Sequence, residues 1–178
     1  MGHLNYGGCI MRKVVILGPS GSGKTTLGLK ISNSIGAKSL HLDGISFNKG
    51  WIMKPVEDII DTLGKFLLQN DSWVIDGNWR KLLFERRLEE CDTIIYLDYG
   101  LEVSKEGVYE RYARFKGKPR PDVPQCIDSI DDKFEEYLES YEEVRGKAIK
   151  ARIIEMSSVK QVHVFKTREE ANSFFNLK

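Results

Sequence analysis

The run GPSGSGKTT, Gly18 to Thr26, holds the residues best suited to chemistry in this 178-residue chain. Gly18, Gly23, Lys24 and Thr25 occupy every fixed position of GxxxxGK[ST], with four apolar residues, Val14 to Leu17, before them and a helix-like run after them. Strand, glycine-rich loop and helix form the setting in which this spacing cradles phosphate. The glycines let successive N–H groups point into one concave nest, and the helix N-terminus adds unpaired donors and a favourable dipole. Gly18, Ser20, Gly21, Ser22, Gly23, Lys24, Thr25 and Thr26 are therefore expected to hold the phosphates of a nucleotide. Lys24 should reach the β- and γ-phosphates, and the Thr25 hydroxyl should ligate Mg2+, which makes ATP with Mg2+ the expected ligand pair.

A second group of residues decides what is done with the phosphate. SWVIDGNWR, Ser72 to Arg80, ends an apolar strand in Asp76. Ligands of open α/β sheets gather beyond the carboxyl ends of the strands, so Asp76 should face the mouth of the loop. There a carboxylate either holds Mg2+ through water or simply starts the Asp-Gly turn. Asp43 ends another strand, HLDG. Arg111 and Arg114, three residues apart in YERYARFKGKPRPD, share one helix face. Arg120 follows in a stretch, Phe115 to Cys126, that holds three of the five prolines and reads as an irregular mobile loop.

Asp76-Gly77-Asn78-Trp79-Arg80 resembles the Asp-Gly-Phe-Pro-Arg element of the adenylate kinase family, with Asn78 and Trp79 standing in place of Phe-Pro. HLDGISFNKGW, WVIDGNWR, DTIIYLD and GKPRPD together are more similar still to the bacterial DNA topology modulation proteins, adenylate-kinase-related chains with a phosphate loop. The resemblance runs from Met11 to about Phe175. It implies that Arg80 binds phosphate of the acceptor and that Arg111 and Arg114 fold over the transferring group as part of a short lid. Arg145 would be a further cation. It also implies that Asp43 orients or deprotonates the acceptor hydroxyl, the alternative being a turn-forming Asp before Gly44. Phe47 and Trp51 fall where the acceptor is covered, either to stack on a base or to close a hydrophobic cluster. The loop after the last strand, at Lys166 and Thr167, would meet adenine, although Thr167 with Glu170 also reads as a helix capping box. The resemblance therefore points to transfer of the γ-phosphoryl of ATP to a small acceptor, a nucleoside monophosphate first. The alternatives are a nucleotide-binding regulator of DNA topology and a slow ATPase without an acceptor.

The elements that must position these residues follow from patterning. Short apolar runs at 13–17, 38–42, 72–76, 93–97 and 161–165 alternate with longer helical stretches, as in an α/β fold with a parallel sheet covered on both faces. Pro55 can open a helix with Ile59, Ile60, Leu63 and Leu67 on one face. A long helix from near Ser129 runs from acidic to basic, which suits the helix dipole. With the resemblance, the expected architecture is a three-layer P-loop nucleoside triphosphate hydrolase fold of the nucleoside monophosphate kinase type, with five parallel strands. Residues 11–178 would form one domain, with an acceptor segment at about 43–70 and a lid at about 115–128. Residues 1–10 read as a poorly ordered extension.

Composition narrows the field further. A net charge of +1 gives no basic excess of the kind a nucleic-acid binder normally carries. Cys9, Cys91 and Cys126 are far apart and lack metal-ligand spacing, which fits a reduced, cytoplasmic setting and no zinc site. No apolar run approaches the ~20 residues that span a bilayer. Oligomeric state is open between monomer and dimer.

Overall fold

The computed structural model describes residues 5, 6 and 9–175. The expectation for residues 1–10 lies largely outside these. Within that stretch, β1 (Asn5–Tyr6) pairs antiparallel with β2 (Cys9–Ile10). The chain then runs β3 (Lys13–Leu17), α1 (Lys24–Ile35), β4 (Lys38–His41) and α2 (Leu42–Ser46). A small hairpin follows, β5 (Phe47–Asn48) with β6 (Ile52–Met53), and then α3 (Val56–Gln69), β7 (Trp73–Asp76), α4 (Phe84–Glu90) and β8 (Thr93–Leu97). The last third contains α5 (Gly100–Phe115), β9 (Pro119–Arg120), β10 (Val123–Ile127), α6 (Asp132–Tyr141), a π turn (Glu142–Gly146), α7 (Lys147–Met156), β11 (Gln161–Phe165) and α8 (Arg168–Phe174).

The five strands expected from the sequence form one parallel sheet in the order β11-β8-β3-β7-β4, with ends shifted by at most one residue. Alternate residues of each strand serve opposite layers. Val15, Leu17, Trp73, Ile75, Ile94 and Tyr96 pack against α3, α4 and α7 through Leu63, Leu88 and Ile153, among others. Val14, Ile16, Val74, Ile95 and Leu97 pack on the other face against Leu27 and Ile31 of α1 and Ala171 of α8. Burial on both faces explains why these strands read as continuous apolar runs.

Local signals set the helix ends. Helix α3 starts after Pro55, carries Glu57 and Asp58 in its first turn, and buries Ile59, Leu63 and Leu67 at intervals of four. Helix α1 stops at Gly36 in the left-handed region, φ 68°, with its N–H returned to Ser32 O. The Asp131 side chain caps α6 by accepting from Phe134 N at 2.8 Å. The long helix expected from near Ser129 is thus α6 and α7 joined through the π turn. Phe115 to Cys126, expected to be irregular, folds largely as the hairpin β9–β10, in which Val123 pairs with Arg120 and Ile127 with Pro119. Prolines are tolerated there because the hairpin has only two strands, each with one edge unpaired.

Two stability tests follow. Leu63 is fully buried, so Leu63→Ala should cost about 3 kcal/mol in urea unfolding. His163 of β11 stacks on Phe165 at 6.3 Å and meets Phe174 at a tilt at 4.6 Å, and burial pushes its pKa below 6.5. The unfolded chain then binds the proton more readily, so stability present above 6.5 is lost as pH falls through and below that value. The thermal midpoint should fall more steeply below pH 6.5 in the wild type than in His163→Gln, and equal slopes would contradict this.

Candidate active site

The site lies where β3, β7 and β4 end. Beyond Leu17 the chain turns through Gly18, φ 143°, Gly21, φ 80°, and Gly23, φ 88°, and α1 begins at Lys24. These backbone angles explain the glycines. Within the loop the Ser22 hydroxyl donates to Pro19 O at 2.8 Å and the Lys24 ammonium donates to the same oxygen at 2.7 Å. Burial pushes Lys24 down to about 8, against the opposing pull of Asp76 and Asp43. The loop leans on α5 backbone to backbone: a Cβ on Gly21 would sit 2.0 Å from Ser104 O, and one on Gly107 would sit 2.1 Å from Gly21 O.

A cleft of about 1430 Å³ opens over this loop. Ser20, Gly21, Gly23, Lys24, Thr25 and Thr26 line its floor, while Gly18 and Ser22 are buried beneath. Asp43, Asp76, Arg80, Arg111 and Arg114 line the same cleft, so residues spread over almost a hundred positions converge. Asp76 is buried at the end of β7, with Gly28 of α1 packed beside its Oδ2. Asp43 falls in the first turn of α2, where its Oδ1 accepts from Trp79 Nε1 at 2.8 Å. Arg80 and Arg114 are exposed and have no hydrogen-bond or ion-pair partner among the described residues. One buried carboxylate with one hydroxyl, Asp76 and Thr25, suits Mg2+, which keeps several waters and takes further oxygens from phosphate.

His41, at the end of β4, also lines the cleft. Its Nδ1 meets Asp76 Oδ2 at 2.6 Å. Burial pulls the ring pKa down, but the hydrogen bond and charge of Asp76 outweigh it and raise the value above 6.5. The two residues are in register on neighbouring strands, a relation visible only once β4 is known to lie beside β7.

The proline-rich hairpin sits against the acceptor segment. Gln125 Nε2 donates to Gly44 O at 3.0 Å and Phe47 O at 2.8 Å, Trp51 Nε1 donates to Ile127 O at 2.7 Å, and Arg120 lies over the Trp51 ring. Phe47 contacts Trp51 and Trp79 edge-on, at 5.2 and 5.8 Å, so these rings form a cluster. Arg120 pairs with Asp122 and lies 3.7 Å from Asp128, which also binds Arg111 at 2.8 Å. Arg145 lies 4.8 Å from the Tyr137 ring centre. Lys166 and Thr167 are absent from the lining. Thr167 accepts from Glu170 N at 3.1 Å, the first half of the expected capping box, and Glu170 accepts from Lys166 N, one residue before the cap. The neighbouring Arg168 lines the cleft instead, with Tyr99 and Asn172.

Many solved structures match, and two of them cover nearly the whole chain. Shikimate kinase from Acinetobacter baumannii, in complex with shikimate, is 16% identical with a TM-score of 0.59, covering 93% of this chain and 89% of that one. A gluconokinase from Sinorhizobium meliloti 1021 is 18% identical with a TM-score of 0.53, covering 93% and 91%. The fold is that of small-molecule P-loop kinases. A model of the PduV-EutP family, ethanolamine utilisation - propanediol utilisation, matches residues 11–75, from the strand before the phosphate loop into β7. No curated protein sequence matches. No helix among the described residues is long and apolar enough to cross a membrane.

Gln125→Leu removes two bonds to main-chain carbonyls of the acceptor segment while keeping bulk. Amide exchange across Pro119–Ile127 should quicken about tenfold with β3 unaffected, as expected for local loss of one or two hydrogen bonds. Unchanged exchange would show that the hairpin is held by other contacts.

Proposed function

We propose that this chain transfers the γ-phosphoryl group of ATP to a small acceptor, with Mg2+ as cofactor. The carrying observation is one cleft that joins a phosphate loop to a carboxylate, Asp43, and to two unpaired arginines, Arg80 and Arg114. A hydrolytic switch has no need of a second half built in this way.

On this reading the loop N–H groups and Lys24 hold the β- and γ-phosphates. Thr25 and Asp76 hold the metal ion, which supplies positive charge against the phosphate oxygens. The acceptor oxygen forms a bond to the γ-phosphorus as the bond from that phosphorus to the bridging β–γ oxygen breaks and ADP leaves. For a hydroxyl acceptor the proton goes to Asp43, whose Oδ1 is fixed by Trp79 while Oδ2 faces no described donor. Arg80 holds an anionic group of the acceptor, and Arg114 with Arg111 meets charge that develops on the moving group. Most of the rate enhancement would come from alignment and charge, the usual case for phosphoryl transfer.

Nucleoside monophosphates remain the first acceptor candidates. Small hydroxy acids stand beside them, since the two kinases that share the fold are named for shikimate and gluconate. A role on DNA has less support: Arg120 is engaged by Asp122 and Asp128, leaving Lys116 and Lys118 as the exposed cations of the hairpin. Two phosphate contacts give weak and strongly salt-dependent binding.

The test is transfer of labelled γ-phosphate from ATP·Mg2+ across nucleoside monophosphates, nucleosides and hydroxy acids. Labelled product with one acceptor class, abolished in Lys24→Ala, is expected. Arg80→Ala should raise the KM for that acceptor about tenfold or more with the KM for ATP little changed, consistent with one lost charge-assisted hydrogen bond. Release of free phosphate alone would replace the kinase by an ATPase.

A further inference from the structure

The turn Asp76-Gly77-Asn78-Trp79-Arg80 departs from its kinase counterpart at Asn78, and the structure gives that residue a task. Strands β3 and β7 pair up to Ile16 and Asp76, and Gly77 N donates to Ile16 O at 3.2 Å. Beyond this the two chains part, β3 into the phosphate loop and β7 toward the acceptor side. Gly18, the first residue of the loop, is buried, so both of its main-chain polar groups need partners. The Asn78 side chain supplies both: Oδ1 accepts from Gly18 N at 3.0 Å and Nδ2 donates to Gly18 O at 2.7 Å. Only a carboxamide presents an acceptor and a donor side by side in this way, and the polarity of Gly18 fixes which end is which. A second contact, Nδ2 to Tyr141 Oη at 3.2 Å, ties the amide to a buried residue of α6.

Gly18 has no slack of its own. Its φ of 143° and a would-be Cβ only 2.7 Å from Leu97 O pin it between β8 and the turn. The adjacent Trp79 holds Asp43 through its indole N–H. A single dipeptide, Asn78-Trp79, therefore grips the donor loop with one side chain and an acceptor-side carboxylate with the next.

We infer that Asn78 is a positioning residue for nucleotide phosphate: it completes the sheet's hydrogen bonding by side chain and so fixes the entry angle of the phosphate loop. This rests on reading Gly18–Thr25 as a phosphate site, but not on any acceptor. The test is binding of Mg·ADP to the full chain by calorimetry, with the phosphorus NMR shift of the bound β-phosphate as a second readout. Asn78→Ala should weaken binding about tenfold or more, the effect of two lost hydrogen bonds that aim a charge-binding loop. The bound β-phosphate resonance should move, which a loss of stability alone would not cause. Asn78→Asp is nearly the same size but places a carboxylate oxygen against Gly18 O, and it should bind no better than Asn78→Ala. Tyr141→Phe should fall between these and the wild type. If Asn78→Ala or Asn78→Asp kept wild-type affinity and resonance position, the inference would be overturned. If the wild type itself bound no Mg·ADP, the phosphate-site reading would fall and this inference with it.

Discussion

Parallel pairing of β3 with β7 is the interaction on which the rest of the site depends. Both strands are buried on both faces, so their register is fixed by two apolar layers at once. Their carboxyl ends deliver, within one pair of strands, the phosphate loop and the buried Asp76. A slip of one residue would send the Asp76 side chain into the opposite layer. The cost of such a slip is the packing of both layers, since every side chain of Val14–Leu17 and Trp73–Ile75 would enter a layer shaped for another, which explains how a functional site can be placed accurately by residues with no chemistry of their own.

Around this pair the charges are arranged in two populations. His41, Arg111 and Arg120 each face an aspartate at close range, whereas Arg80 and Arg114 face open space in the cleft. Buried charges without partners would be very costly, so the inner set is paired as physical necessity requires. Exposed cations carry no such demand and remain available to an anion. Arg111 belongs to both settings, since it is held by Asp128 and still lines the cleft.

The sequence was most legible where one local signal sufficed. Glycines at positive φ, apolar runs of strand length and the Thr167 helix cap all depend on neighbours within a few residues, and each is found in the structure. The sequence was least legible where partners are distant. His41 meets Asp76 across strands that are 35 residues apart, and strand order cannot be read from either strand alone. Prolines at 119, 121 and 124 suggested an irregular loop because the hairpin's stabilising contacts come from Gly44, Phe47 and Trp51. The π turn at Glu142–Gly146 left no periodicity signal, since one widened turn in a long helix barely disturbs the apolar spacing on either side.

The contact between Gly21 and Gly107 bears on how the two halves of the cleft communicate. Side chains normally cushion a helix against its neighbours, and rotamer changes absorb small movements. Here two main chains pack with no side chain between them, so no rotamer is available at this contact to take up a displacement. Arg111 lies one helical turn beyond Gly107 and Arg114 almost another turn on, both on the arm of that lever. The lack of a side chain at two positions thus makes this the tightest seam between loop and helix, and its stiffness comes from what has been left out.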